Sequence, residues 1–377
     1  MYSSTITEYE DNKDKKSLET KNEKESIFDQ PPKEHIPAVQ PLIWRNIIGL
    51  AILHVLAIYL FITRIFKVSI WTWVFGFTYG FFVIIGISAG AHRLWAHKSY
   101  SAKLPLRILL AIFYCMAGQV KFLSIKLKSK ENVDLRSLRK LFTTFFVLQT
   151  HLTKWVRVHR THHRYTDTSA DPHNSNRGFF FSHVGWLMMK HHPAVKEYGK
   201  NVDMSDLAAD PVIRFFDKYY PPIMLSVCFV LPTLIQVYLW NETWDIAINS
   251  VIVRYVISLN ATFSVNSFAH LWGTRPYDRN LKARENIGVA IVANGEGWHN
   301  YHHAFPWDYR NAELGFHSLN LAAGFIELMA WLGLAYNLKT PSPEIIEKYC
   351  ANKGDGTIGF SRRKARQISS KHTTAVE

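Results

Sequence analysis

Cysteine is scarce in this chain of 377 residues: Cys115, Cys228 and Cys350 are its three, and they are far apart. That excludes a disulfide framework and a thiolate zinc site, which need cysteines in paired spacing. Acidic residues are in the minority, 30 against 44 Lys and Arg, leaving a formal net charge of +14 and a pI near 9.5. Such an excess suits nucleic acid, anionic lipid or an anionic substrate. A cleavable signal is also missing from the start. Residues 1–40 are polar and charged and read as a disordered cytosolic tail. Membrane insertion then rests on internal segments.

Apolar residues make up 48% of the chain and aromatic ones 14%, and they are clumped into blocks. Ile47–Ile62 and Val68–Ala91 carry no formal charge, and the second is ample for a hydrocarbon core of about 30 Å. Tyr219–Trp240 carries prolines, which membrane helices tolerate, and Ile246–Ala269 carries one charge, Arg254. The expectation is four spanning helices, about 43–63, 68–91, 219–240 and 246–269, in two hairpins. The hairpin loops are short, whereas the tail, the middle region and the "SRRKAR" end are basic, so the positive-inside rule puts both termini in the cytosol. The sequon Asn241-Glu242-Thr243 falls in an expected lumenal loop, too near the membrane for a good glycosylation acceptor. Leu104–Ala117 and Leu319–Leu334 read as interfacial or core-packed helices. Because the positive charge surrounds apolar spans, the bilayer is an expected partner and nucleic acid is not.

Histidine is the unusual count, 18, most of it clustered. His92 and His97 close the second span; His159, His162 and His163 form an HxxHH box; Asn266 and His270 close the fourth span; His299, His302 and His303 form a second HxxHH box. Residues at i, i+3 and i+4 share a helix face, so each HxxHH box is expected to converge on one point. His92 and His97 lie about 140° apart on an ideal helix, so they reach two metals, or one if the helix ends between them. Nine imidazoles, with the Asn266 amide able to hold a water, exceed what one ion takes and suit two. Imidazole serves Zn, Cu, Fe and Ni alike, so ligand type alone does not name the metal. A metal transporter would carry its histidines within the spans, whereas these gather at span ends. His54, His151, His183, His317 and His372 stand outside the pattern and read as ordinary residues.

The order HxxxxH, HxxHH, NxxxH, HxxHH, set in "GAHRLWAH", "HRTHHRYTDTSADPHN", "NSFAHLWGTRPYD" and "GEGWHNYHHAFPWDYR", closely resembles insect-like membrane acyl-CoA desaturases of the stearoyl-CoA type, from about Pro41 to Tyr336. The resemblance implies an all-α integral membrane protein, with four transmembrane helices under a cytosolic helical cap that holds a histidine-ligated dimetal site. It implies a desaturase domain over 41–336, followed by a basic cytosolic tail over 337–377. The implied ligands of two Fe2+ ions are His92, His97, His159, His162, His163, Asn266, His270, His299, His302 and His303. Also implied are oxygen as oxidant, electrons from cytochrome b5 and its reductase, a fatty acyl-CoA substrate, and residence in the endoplasmic reticulum membrane. Asn46, Gln119, Trp155, Arg157, Lys190 and Thr262 fall at the family's substrate-contact positions, and Gly80 and Ile84 where its acyl tunnel ends. A Δ9 double bond is the family default, other positions such as Δ11 occur, and a hydroxylase of the same histidine-box class is the alternative. Two positions depart from the family: its "QN" reads Gln119 followed by residues without counterpart, and Val158 stands where the family has Asp, in "WVRVH".

Residues 120–149 have no counterpart in that family. Joining "CMAGQ" directly to "THLTKWVRVHR" restores its spacing. The segment lacks Gly, Ala and Pro, begins with Val and ends with Gln, whose codons can form a splice donor and acceptor. It reads as a retained in-frame intron. If translated, it is a basic surface insertion, seven Lys and Arg against Glu131 and Asp134, expected to damage or silence activity.

Overall fold

A computed structural model of the chain describes residues 40–119 and 150–358, with Phe316 and His317 as backbone only. The expected tail over 1–39, the segment 120–149 and residues 359–377 lie outside the described residues. The described part is almost wholly helical. Its one sheet is a two-residue antiparallel pair, β1 (Ser101–Ala102) on β2 (Ala335–Tyr336), with Ser101 opposite Tyr336.

Four helices are long and apolar enough to cross a membrane: Trp44–Lys67, Ile70–Ala96, Tyr220–Trp240 and Trp244–Leu271. They coincide with the four expected spans and extend them by up to five residues. We name the α-helical part of the first α1 (Trp44–Arg64) and of the second α2 (Ile70–Ile85), which runs on as a π-helix through Ala96. Ser69 caps α2, its hydroxyl accepting from the Thr72 N–H at 3.2 Å. Next come α3 (Leu104–Ala117) and α4 (Leu152–Arg164). The third span, α5 (Tyr220–Trp240), holds a π-helical turn at Ser226–Val230 just before Pro232, which has no N–H to give the preceding turn. Asn241, left-handed at φ 55°, turns the chain into α6 (Trp244–Leu271). The C-terminal third adds α7 (His299–Ala304), α8 (Leu321–Trp331) and α9 (Pro343–Lys353).

The two hairpin loops are tied together, which fixes the polarity of the bundle. The Glu242 carboxylate accepts from Thr72 Oγ1 at 2.5 Å and from the Ser69 N–H at 3.3 Å. Arg64 pairs with Asp245 at 3.4 Å. The far ends of α2 and α6, which carry His92, His97 and His270, therefore lie together at the opposite end. There α3 and α8 pack on the spans as the apolar, non-spanning helices the sequence suggested, contributing Leu110, Tyr114 and Ile326 to the main core beside Ile85, Val156 and Leu259.

Residues 337–358, expected to begin a tail, are folded instead. Ile346 of α9 is buried in a cluster with Tyr277, Tyr301 and Phe305, and the Lys353 carbonyl accepts from the Arg279 N–H at 2.8 Å. Apolar side chains on one face of α9 give it a place to bury; net charge alone hid this.

Candidate metal centre

The nine expected histidines all arrive at this end of the bundle, in two groups. His92, His97, His159, His163 and His302 form one, and His162, His270, His299 and His303 the other; within each, the candidate ligand nitrogens lie within 4.8 Å of one another. The expectation that each HxxHH box converges on one point is corrected. On an α-helix i and i+4 differ by about 40° on one side while i+3 falls about 60° to the other. His159 and His163 therefore serve the first group while His162 swings to the second. In α7 the same rule sends His299 and His303 to the second group and His302 to the first.

The π-helical end of α2 settles the first box. The His97 N–H bonds to the His92 carbonyl at 3.0 Å, a five-residue step that brings His97 back under His92 rather than across the helix. Gly86 lets this stretch approach α3, since a Cβ there would lie 2.3 Å from the Phe113 carbonyl carbon.

Within the groups the ring Nε2 atoms face each other. In the first, His92 and His302 are 3.0 Å apart, His302 and His163 2.9 Å, and His97 and His159 2.8 Å. In the second, His299 lies 3.0 Å from His270 and 3.1 Å from His303. A neutral imidazole has one N–H. His302 Nε2 meets two other Nε2 atoms, and His92 Nδ1 faces the Glu296 carboxylate at 2.9 Å, which leaves lone pairs confronting one another. A cation between them removes that repulsion. With nitrogens about 2.1 Å from an ion, adjacent ligands are about 3.0 Å apart at right angles and about 3.4 Å apart in a tetrahedron. The observed separations fit the right-angled case. His162 Nε2 is moreover buried without a hydrogen-bond partner among the described residues. Both groups fit a metal ion.

Carboxylates behind the rings orient them, as the hydrogen-bond partners of ligand rings do at metal sites. Glu296 is the hub of the first group. It faces His92 Nδ1, accepts from Arg93 Nη2 at 2.8 Å and from Asn311 Nδ2 at 3.0 Å, and also meets Ser88. Burial alone would raise its pKa, but His92 and Arg93 hold it far below the usual carboxylate range. In the second group Asp171 accepts from His162 Nδ1 at 2.8 Å, and Asp167 lies 4.0 Å from His270 Nδ1. Burial pulls His162 down, yet Asp171 raises it above the ordinary imidazole value. The other six rings outside the spans, His97, His159, His163, His299, His302 and His303, are pushed well below that value by burial and by the neighbouring rings.

A cavity of about 90 Å³ opens on His92, His159, His162 and His299, and Gln119, Trp155, Thr262 and Asn266 line it with Val158. Trp155 stacks on the His159 ring, centroids 5.1 Å apart. Asn266 thus sits beside both groups. Three expected contact residues lie outside this cavity: Asn46 donates to the Leu187 carbonyl at 2.5 Å, Arg157 to the Gly199 carbonyl at 3.1 Å, and Lys190 is exposed. Gly80 and Ile84 line a separate apolar groove between α1, α2 and α6, of about 520 Å³. Glu296, Asp167 and Asp171 escaped the sequence reading, although all three stand inside the words that flank the boxes.

Four apolar spans and two all-histidine metal groups at one end of them define a multi-pass membrane metalloprotein. The family model for fatty acid desaturases matches residues 132–334. An acyl-CoA Delta(11) desaturase of Spodoptera littoralis is 46% identical over 319 residues, 84% of this chain and 85% of that protein. An acyl-CoA Delta-9 desaturase of Acheta domesticus is 43% identical (86% and 82% covered) and a human stearoyl-CoA desaturase 45% identical (88% and 85%). The chain belongs to the fatty acid desaturase family.

Proposed function

We propose that this protein is an acyl-CoA desaturase that inserts a double bond, at Δ9, into a saturated fatty acyl-CoA. The balanced reaction joins the acyl –CH2–CH2– unit, O2, two electrons and two protons to give –CH=CH– and two waters. Cytochrome b5 and its reductase would supply the electrons, in the endoplasmic reticulum membrane with both termini cytosolic. The observation that carries the reading is the pair of imidazole groups, five and four rings, opening on one small cavity walled by Gln119, Trp155 and Thr262.

Two iron ions held by the nine histidines, with Asn266 beside them to hold a water, would supply the oxidising power for removing two hydrogens from adjacent methylenes. The rest is the work of the protein. Imidazoles bind without the thiolates an oxidant would consume, and Cys115 and Cys228 are buried in the apolar core instead. Glu296 and Asp171 fix which ring nitrogen of His92 and of His162 carries its proton, so that Nε2 is left to ligate. Gln119, Trp155 and Thr262 would hold one carbon pair of the acyl chain against the groups, and the buried walls keep water out. Asn46, Arg157 and Lys190 would take the polar and phosphate-bearing head; Val158 supplies no carboxylate to it.

Expression in a desaturase-deficient yeast, with alkene positions read by mass spectrometry, tests the proposal. New Δ9 monoenes support it. Δ11 products would move the site of insertion along the chain, hydroxylated acyl chains would make the protein a hydroxylase, and no product from a chain loaded with metal would reject the activity.

A further inference from the structure

Six residues are too few for a helix to sustain itself, because nucleation outweighs what so short a ladder returns. Yet α7 must aim His299 and His303 at one metal group and His302 at the other. Its geometry has to come from outside the helix.

Two buried residues supply it. Glu285, from the loop before the short helix Ile287–Val292, reaches the start of α7, where its Oε1 accepts from the Tyr301 N–H at 2.9 Å. That N–H is a first-turn donor, which a helix leaves without a partner. Asn300 stands between His299 and His302 and is completely buried. Its Oδ1 accepts from the N–H groups of Tyr277 at 2.9 Å and Asp278 at 3.1 Å, and its Nδ2 donates to the Asp278 and Ala283 carbonyls at 2.9 Å each. The loop 277–285 is thereby sewn to α7 from both sides. Behind it, α9 closes the stack: Tyr349 Oη donates to Asp278 Oδ2 at 3.1 Å, and Ile346 packs with Tyr301 and Phe305.

We infer that Glu285 and Asn300 are positioning residues that fix α7 and so govern metal retention in both groups at once. The inference rests on the nine histidines being metal ligands. Neither residue lines the cavity beside the groups, so acyl-CoA binding should be indifferent to them.

The test uses full-length protein in detergent, loaded with ferrous iron, and follows iron per chain and the rate of iron release to a ferrous chelator. Size-exclusion profile and helicity report folding. Glu285→Ala should release iron about tenfold faster or more, the scale of loss when a group that supports a metal ligand is removed. Both ions should leave together, with KM for acyl-CoA unchanged. Glu285→Gln should restore release to within about twofold of the parent, because a Gln carbonyl accepts from the same Tyr301 N–H while the helix stays capped. Should Glu285→Ala fail to fold, Asn300→Asp, which keeps the acceptor and loses both donors, should still release iron faster than the parent. Release at the parent rate by folded Glu285→Ala or by folded Asn300→Asp would overturn the inference. A parent protein that takes up no iron would instead overturn the metal-ligand reading, and this inference with it.

Discussion

His92 is held through both ring nitrogens, by Glu296 on one side and by the His302 ring on the other. That double grip explains why one carboxylate matters to five imidazoles. Removing it in Glu296→Ala frees the His92 ring and leaves the buried Arg93 guanidinium without its acid. Iron affinity of the first group should fall about 10–100-fold, measured by competitive chelation, with turnover falling alongside. Acid should act on the same atoms. Six imidazoles outside the spans, buried or half-buried, have pKa values pushed below the ordinary 6.5, so the unfolded chain takes up protons that the folded one refuses. Stability must then be full above pH 6.5 and fall as the pH drops below it. Melting of the metal-free protein between pH 8 and about pH 5 should show a steep loss involving more than one proton per chain. At this scale the nine ring identities were readable because imidazoles at ligand spacing in four separate places have no bland use. Their partition was not, because counting i, i+3 and i+4 as one face ignores that i+3 falls on the far side of the i, i+4 pair.

At the scale of elements, the spans were legible from long uncharged runs, and α3 and α8 from runs too short to cross. The π-helical end of α2 was not legible. An ideal helix sets His92 and His97 well apart, and only the five-residue hydrogen bond brings them together. Gly86 is its sequence trace, for the backbone of Phe113 and Tyr114 occupies the room a side chain would need. Gly86→Leu should push α2 off α3 and destabilise the protein by about 1–3 kcal/mol, with His92 and His97 displaced together. Thermal melting and iron retention should both drop; a variant that melts and retains iron like the parent would refute this account of the π-helix. Within α9, apolar Ile346 and Tyr349 were concealed in the sequence by the basic residues that follow.

Over the whole molecule, Gln119 and Thr150, the described residues on either side of 120–149, lie next to one another. The Thr150 N–H donates to the Gln119 carbonyl at 2.8 Å, while Tyr255 and Tyr114 hold the flanking Gly118 and Thr150 carbonyls. A direct Gln119–Thr150 bond calls for a local shift only, so a chain lacking 120–149 should fold, load iron and turn over faster than the full chain. Equal turnover of the two forms would count against any cost of the segment. The central claim is that histidines from four stretches of sequence hold two iron ions at one end of a membrane bundle, and iron analysis with X-ray absorption on the purified full-length protein tests it most directly. The account predicts two irons per chain, each in a shell of nitrogen and oxygen at about 2.1 Å with imidazole outer scattering. A single iron, or sulfur in the shell, would contradict it.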